Sequence, residues 1–141
     1  MEMKRLLVAA LLLVLAGGCS AMKAKPSSNV RPPAPGVPAG PADVSGIYRS
    51  IHQGVLQLRA DGDYVLIVPE GPGPTSGTFT LSAGRLSVRS PACGAETGDY
   101  HVAVTGEQEA GKAVLNLTAV RDNCEDRRKY LTIDPWVYAN S

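Results

Sequence analysis

Aromatic residues are scarce in this chain: one tryptophan, one phenylalanine and five tyrosines in 141 residues. Histidine occurs twice and cysteine three times, and no Cys-x-x-Cys or His-x-x-x-His spacing is present to hold a metal. Catalysis by a nucleophile needs a base beside it, and acid–base catalysis needs carboxylates paired in a cleft. His52 and His101 stand near no such pattern, so neither an enzyme nor a metal or cofactor site is expected. A basic stripe is also missing. Residues 43–141 carry nine basic against twelve acidic residues, a net of −3, and the three linker cations Lys23, Lys25 and Arg31 offset it. That balance argues against nucleic acid as a partner. The run Gly71-Pro-Gly-Pro-Thr-Ser-Gly77 lacks a Gly-Lys-Ser/Thr ending, and its two prolines remove amide donors, so it reads as a loop and not a phosphate cradle. Outside the first twenty residues no long apolar helical stripe occurs.

What is present is turn chemistry between short apolar runs. Leu56 to Val68 places Asp61-Gly62-Asp63 between Leu-Gln-Leu-Arg-Ala and Tyr-Val-Leu-Ile-Val, a strong hairpin signal. Leu56 and Leu58 alternate with Gln57 and Arg59, as a strand with one wet face requires. The continuous run Tyr64–Val68 suits a strand buried on both sides or lining a closed sheet. Four strand openings read Gly, any residue, aromatic: Gly46-Ile-Tyr48, Gly62-Asp-Tyr64, Gly77-Thr-Phe79 and Gly98-Asp-Tyr100. Each glycine is expected to enter from a tight turn, with its aromatic on the same face. Eight strands are predicted near 45–51, 54–60, 64–68, 76–82, 85–90, 98–105, 113–121 and 135–139. Ala83-Gly84 would close one hairpin and Gly106 to Lys112 another. Such a meander must leave two raw edges or close, and closure is preferred. The expected fold is therefore all-β: a small antiparallel up-and-down β-barrel of about eight strands.

The first residues read as an address. Lys4-Arg5 precedes an apolar stretch from Leu6 to Ala16, and a helix of that length spans only about 16 Å, too short for a bilayer. Leu15-Ala-Gly-Gly-Cys19 resembles the lipobox of bacterial lipoproteins, with Ala16 where leucine is usual. The resemblance implies a signal peptide at 1–18, lipidation of Cys19 and anchoring to a membrane. Ser20 after the cysteine fits outer-membrane sorting, with the domain facing the periplasm. Residues 19–42 read as a linker: Pro26, Pro32, Pro33, Pro35, Pro38 and Pro41 lie among Ala, Ser and Gly, without apolar periodicity. Such a composition is expected to stay disordered and to reach on the order of 60–70 Å as polyproline II. Residues 43–141 then form the barrel domain.

Two features interrupt the strand pattern. Asp122 to Thr132 is polar and is expected to form a short helix or structured loop across one mouth of the barrel. Trp136 is expected inside or across a barrel end, under Arg127 or Arg128. The Arg127-Arg128-Lys129 run, flanked by Asp122, Glu125 and Asp126, reads as a solvated face. Once Cys19 is acylated, Cys93 and Cys124 remain in an oxidising compartment. They are expected to form a structural disulfide.

Over 45–139 the chain resembles a small bacterial lipocalin-like (calycin-type) domain. The resemblance rests on Ser45-Gly46-Ile47-Tyr48, where lipocalins have Gly-x-Trp. Ala60-Asp-Gly-Asp-Tyr64, Ser76-Gly-Thr-Phe79, and Cys124-Glu-Asp-Arg127-Arg128 followed by Pro135-Trp136 add to it. It implies one barrel end shut by the Gly-x-aromatic together with an arginine. Positions 46–89 also resemble the first half of copper-resistance envelope lipoproteins. Their Cys-x-x-Cys is absent, Ser50-Ile-His-Gln53 standing in its place, so copper sensing is not carried over. Two functions follow. One is a binding domain for a small apolar ligand, lined by Tyr48, Leu56, Leu58, Phe79, Leu86, Tyr100 and Trp136. The other is a protein-interaction module, of the envelope protease or lysozyme inhibitor type, with a filled interior and a working rim at Glu70 to Ser76 or Ala92 to Gly98. A monomer is expected in either case.

Overall fold

A computed structural model describes residues 31–106 and 112–139. The signal segment, Cys19, and positions 107–111 of the predicted turn between the sixth and seventh strands lie outside the described residues. Eight strands follow in order: β1 Gly46–Arg49, β2 Val55–Leu58, β3 Asp63–Ile67, β4 Thr75–Ser82, β5 Arg85–Arg89, β6 Thr97–Thr105, β7 Val114–Arg121 and β8 Trp136–Ala139. One helix, α1 Glu125–Thr132, lies between β7 and β8. Every strand pairs antiparallel with the next, and β8 pairs back onto β1, so the sheet is a closed barrel.

The local reasons are those of turn and pleat. In the central hairpin Gly62 has φ +93°, and Asp63 N–H donates to Asp61 Oδ1 at 3.1 Å, so this turn is set by glycine and by an Asx bond. Leu58 then faces Tyr64 and Leu56 faces Leu66, all four buried. In β3 only alternate residues turn inward: Ile67 is 40 % exposed, so this apolar run lines a closed sheet and is not buried on both sides.

All four aromatics of the repeated openings are buried, Tyr48, Tyr64, Phe79 and Tyr100. Their glycines differ from expectation, because only Gly62 sits in a tight turn. Gly77 and Gly98 lie within strands. What they supply is room. A Cβ at Gly77 would strike the Arg89 carbonyl and the ring of Tyr64, its cross-strand partner, and one at Gly98 would strike the Asp122 carboxylate. Gly46 likewise makes space for the ring of Tyr138.

The chain enters at one end of the barrel. There Gly36 and Val104 exchange hydrogen bonds of 2.8 and 2.9 Å, and Gly84 N–H donates to Pro38 at 2.8 Å. The proline-rich stretch thus meets the barrel before the expected boundary at residue 43, with Pro33 and Pro38 buried. Pro41–Val44 forms a 3₁₀ turn whose Val44 closes this end, and the Tyr48 hydroxyl donates to the Val44 carbonyl at 2.7 Å. The far end carries the turn 50–54, the loops 68–74 and 90–96, and α1.

Candidate functional site

The far end is built on a β-bulge. In β7 Leu115 and Leu117 point inward; then Asp99 faces Arg121 and Tyr100 faces Ala119, so Val120 is an extra residue and is 44 % exposed. The extra residue resets the alternation and turns Asp122 into the barrel. Asp122 there meets Arg127 in a bidentate pair, Nε to Oδ2 and Nη2 to Oδ1, both at 2.7 Å. The Tyr100 hydroxyl donates to Oδ2, and the Cys124 amide donates to Oδ1 at 2.9 Å. Arg127 Nη1 also donates to the Glu96 carbonyl at 3.2 Å, tying α1 to the β5–β6 loop. Both charged side chains are buried, at 3 % and 0 % exposure, so every acceptor position matters. Arg127 is therefore not on a solvated face, unlike the exposed Arg128 and Lys129 that follow it. It also acts at the end opposite Gly46-Ile-Tyr48, whereas the lipocalin resemblance implied one end shut by both.

Burial alone would push the Asp122 carboxyl up. The Arg127 hydrogen bonds, the Tyr100 phenol and the Cys124 amide outweigh burial and hold it below the usual carboxylate range. The same environment, burial first, then the hydrogen bond to Asp122 and its charge, pushes the Tyr100 phenol up. On the outer face Asp99 is held low by the Ser87 hydroxyl (2.7 Å), against its own burial, with help from Arg85 and Arg121 (both 3.2 Å). Depressed carboxylates stabilise fully above their unfolded pKa, about 3.9, and lose that contribution as pH falls through their lower folded values. Denaturant titrations from pH 7 to pH 2 are expected to show stability falling below about pH 4. Asp99→Asn should flatten part of that fall; an unchanged profile would remove Asp99 from the account.

Beside this cluster lies a cleft of about 580 Å³, between the turn 50–54, Val68–Glu70 and the end of α1. His52 Nδ1 lies 2.5 Å from Asp134 Oδ2, joining the β1–β2 turn to the α1–β8 link. Because a carboxylate only accepts, this bond puts the proton on Nδ1 and leaves Nε2 free of Asp134. Gln53 in the same turn has φ +63°, an unusual value for a side chain of its size. On the rim Ile51 and Ile133 are 76 % and 56 % exposed. A recess of about 590 Å³ at the entry end, beside Tyr138, holds only the surface pair Arg59–Asp61 as charged groups.

All seven residues expected to line a ligand cavity, Tyr48, Leu56, Leu58, Phe79, Leu86, Tyr100 and Trp136, belong to one hydrophobic cluster, none more than 4 % exposed. An eight-stranded barrel is just wide enough for side chains to fill it, and these fill it. Trp136 alone of the seven also reaches the far-end cleft, and its indole N–H is held by the Leu131 carbonyl at 3.0 Å. The two segments expected to form a working rim, Glu70 to Ser76 and Ala92 to Gly98, both lie at this far end, and Glu70 lines the cleft. Cys93 and Cys124 are joined as a disulfide that fastens the β5–β6 loop to the start of α1. No signal in the sequence marked the His52–Asp134 pair, whose members are 82 positions apart. No family model matches the chain, and no curated protein or solved structure matches it. What fold and site define is a class: a closed eight-stranded up-and-down barrel, side-chain-filled, with a recessed far end.

Proposed function

We propose that this is a lipid-anchored envelope protein whose lipocalin-like barrel recognises a protein partner at its far end, as an inhibitor-type interaction module. The observation that carries the reading is the pair of exposed isoleucines, Ile51 and Ile133, on the rim of the 580 Å³ cleft. Large apolar side chains clustered beside a recess are a docking feature. The filled interior supports the same reading, since it moves recognition from the lumen to the mouth. Topology adds direction. The chain enters at the opposite end, so the cleft lies at the barrel mouth away from the linker that would carry the anchor. The partner is an envelope protein with an apolar protrusion to seat between the isoleucines. The domain's net charge of −3 favours a cationic one.

The test is a photo-reactive side chain at Ile51 in the acylated full chain, with one at exposed Thr80 on the barrel wall as control. A discrete protein adduct from position 51 and none from position 80 is expected. Equal labelling at both, or at neither, sinks the reading. Native mass spectrometry of the full chain, with Cys19→Ser to prevent acylation, gives the second arm. Added mass that disappears on denaturation would return the function to a small apolar ligand.

A further inference from the structure

One wall of the barrel carries charge opposite in sign to that of the domain. Strand register sets Ser87 of β5 beside Asp99 of β6, and Asp99 beside Arg121 of β7, with Arg85 and Arg89 on the same outer face of β5. Asp99 is the hub. Its Oδ2 accepts from Arg85 Nη2 and from Arg121 Nη2, both at 3.2 Å, and its Oδ1 from the Ser87 hydroxyl at 2.7 Å. Two guanidinium side chains, 53 % and 72 % exposed, thus converge on one oxygen of a carboxylate that is itself 8 % exposed. Their other N–H groups have no partner among the described residues. Two more arginines border the pair. Arg89 Nη2 donates to Thr97 Oγ1 at 3.4 Å, and Arg128 Nη1 reaches the carbonyl of Asp122, the residue after Arg121, also at 3.4 Å. Asp63, Glu96 and Glu125 flank the patch, are exposed, and form no ion pair with any of the four among the described residues. Four arginines therefore stand around one paired carboxylate, on a domain whose net charge is −3.

We infer that this wall is a docking surface for the anionic phosphate headgroups of a lipid bilayer, centred on Arg85 and Arg121. Chemistry sets the class. A guanidinium fork matches phosphate oxygens two at a time, and the Asp99 hub already holds two such forks in place, which lowers the ordering cost of the contact. Shape sets the source. The wall is the outside of a closed barrel, and neither the far-end cleft nor the entry-end recess includes any of the four arginines. Their outward neighbours Thr78, Ser82 and Thr118 are short, so the guanidinium side chains stand above the sheet. A convex patch encloses no free ion, but it can lie against an extended array of phosphates. The acidic surplus lies on the rest of the domain, so an anionic surface favours this side over the others. The inference needs neither a partner at the cleft nor native acylation of Cys19.

The full chain, made unacylated and oxidised so that Cys93 and Cys124 pair, keeps Cys19 as its one free thiol. Coupling that thiol to a maleimide lipid tethers the chain to nanodiscs that contain a nitroxide-headgroup lipid. Line broadening of backbone amides then reports which side meets the headgroups. In discs of about one third phosphatidylglycerol, broadening is expected to be strongest at Arg85, Ser87 and Arg121 and absent at Ile51 and Ile133. In phosphatidylcholine alone the preference should vanish. Arg85→Gln and Arg121→Gln should each weaken the contact about fivefold, the value of one arginine at an anionic surface, and raised salt should weaken it further. Thermal unfolding checks that both variants keep the fold. Arg128→Gln, which leaves the Asp99 pairs intact, should weaken the contact by a similar factor and decides the matter if they do not. Equal broadening around the barrel, the same pattern in phosphatidylcholine, or variants that change nothing would each overturn the surface. Saturable shifts at the same residues of the lipid-free chain with millimolar inorganic phosphate would make it an ion site and overturn the bilayer as its source.

Discussion

Arg127→Met is expected to lower the unfolding free energy by about 3–5 kcal/mol, the cost of leaving a buried carboxylate without its partner. Asp122 would retain the Tyr100 hydroxyl and the Cys124 amide but lose both guanidinium bonds, in a site where its side chain is fully buried. The double variant Asp122→Leu/Arg127→Met removes both charges and should recover most of the loss, because an apolar pair of similar volume often replaces a buried ion pair at little cost. Chemical denaturation of the two single variants and the double one measures the coupling directly. If the double variant is as unstable as the sum of the singles, the pair is not acting as a unit. The cluster would then serve only to fill space.

Replacing both Cys93 and Cys124 by serine should cost about 3–4 kcal/mol by loop-closure entropy, for a crosslink between residues 31 positions apart. For a domain of this size that is a large share of a total near 5–15 kcal/mol. The effect reaches further than chain entropy. Cys124 precedes α1, and its amide donates to Asp122, so the disulfide also steadies the ion pair. The losses from Arg127→Met and from the serine pair are therefore expected to be less than additive. Full additivity, read from midpoints in urea with and without reductant, would show that the disulfide acts on the unfolded chain alone.

Most of the barrel was legible because its instructions are local. Leu56, Leu58, Phe79, Leu81, Leu86 and Val88 alternate with polar neighbours, and Asp61-Gly62 and Ala83-Gly84 mark turns that the structure places where expected. The far end was legible only in outline. Asp122 to Thr132 reads as a polar helix or structured loop across a mouth, but Arg127 reads as a surface residue, because Asp122, Glu125 and Asp126 flank its run and suggest a cancelled field. Its real partner, Asp122, is turned inward by one extra residue at Val120, and nothing in the local alternation announces that shift. The same limit applies to the glycines. Gly77 and Gly98 look like turn residues in the sequence, and their meaning depends on what a neighbouring strand brings opposite them.

The ring closes through its most thinly paired seam. β8 is four residues long, meets β7 at only Val114–Val137 and Leu115–Trp136, and meets β1 at Ile47, Tyr48 and Arg49. A chain delivered across a membrane from its N-terminus would therefore wait with β1 as an open edge until β8 had emerged. Every other strand can zip onto its predecessor as it arrives, but this seam joins the two most distant strands and must come last. Until then the exposed edge is a place where a second copy, or a chaperone, can add a strand. Trp136, the bulky residue that begins β8, would be the latch that ends this interval.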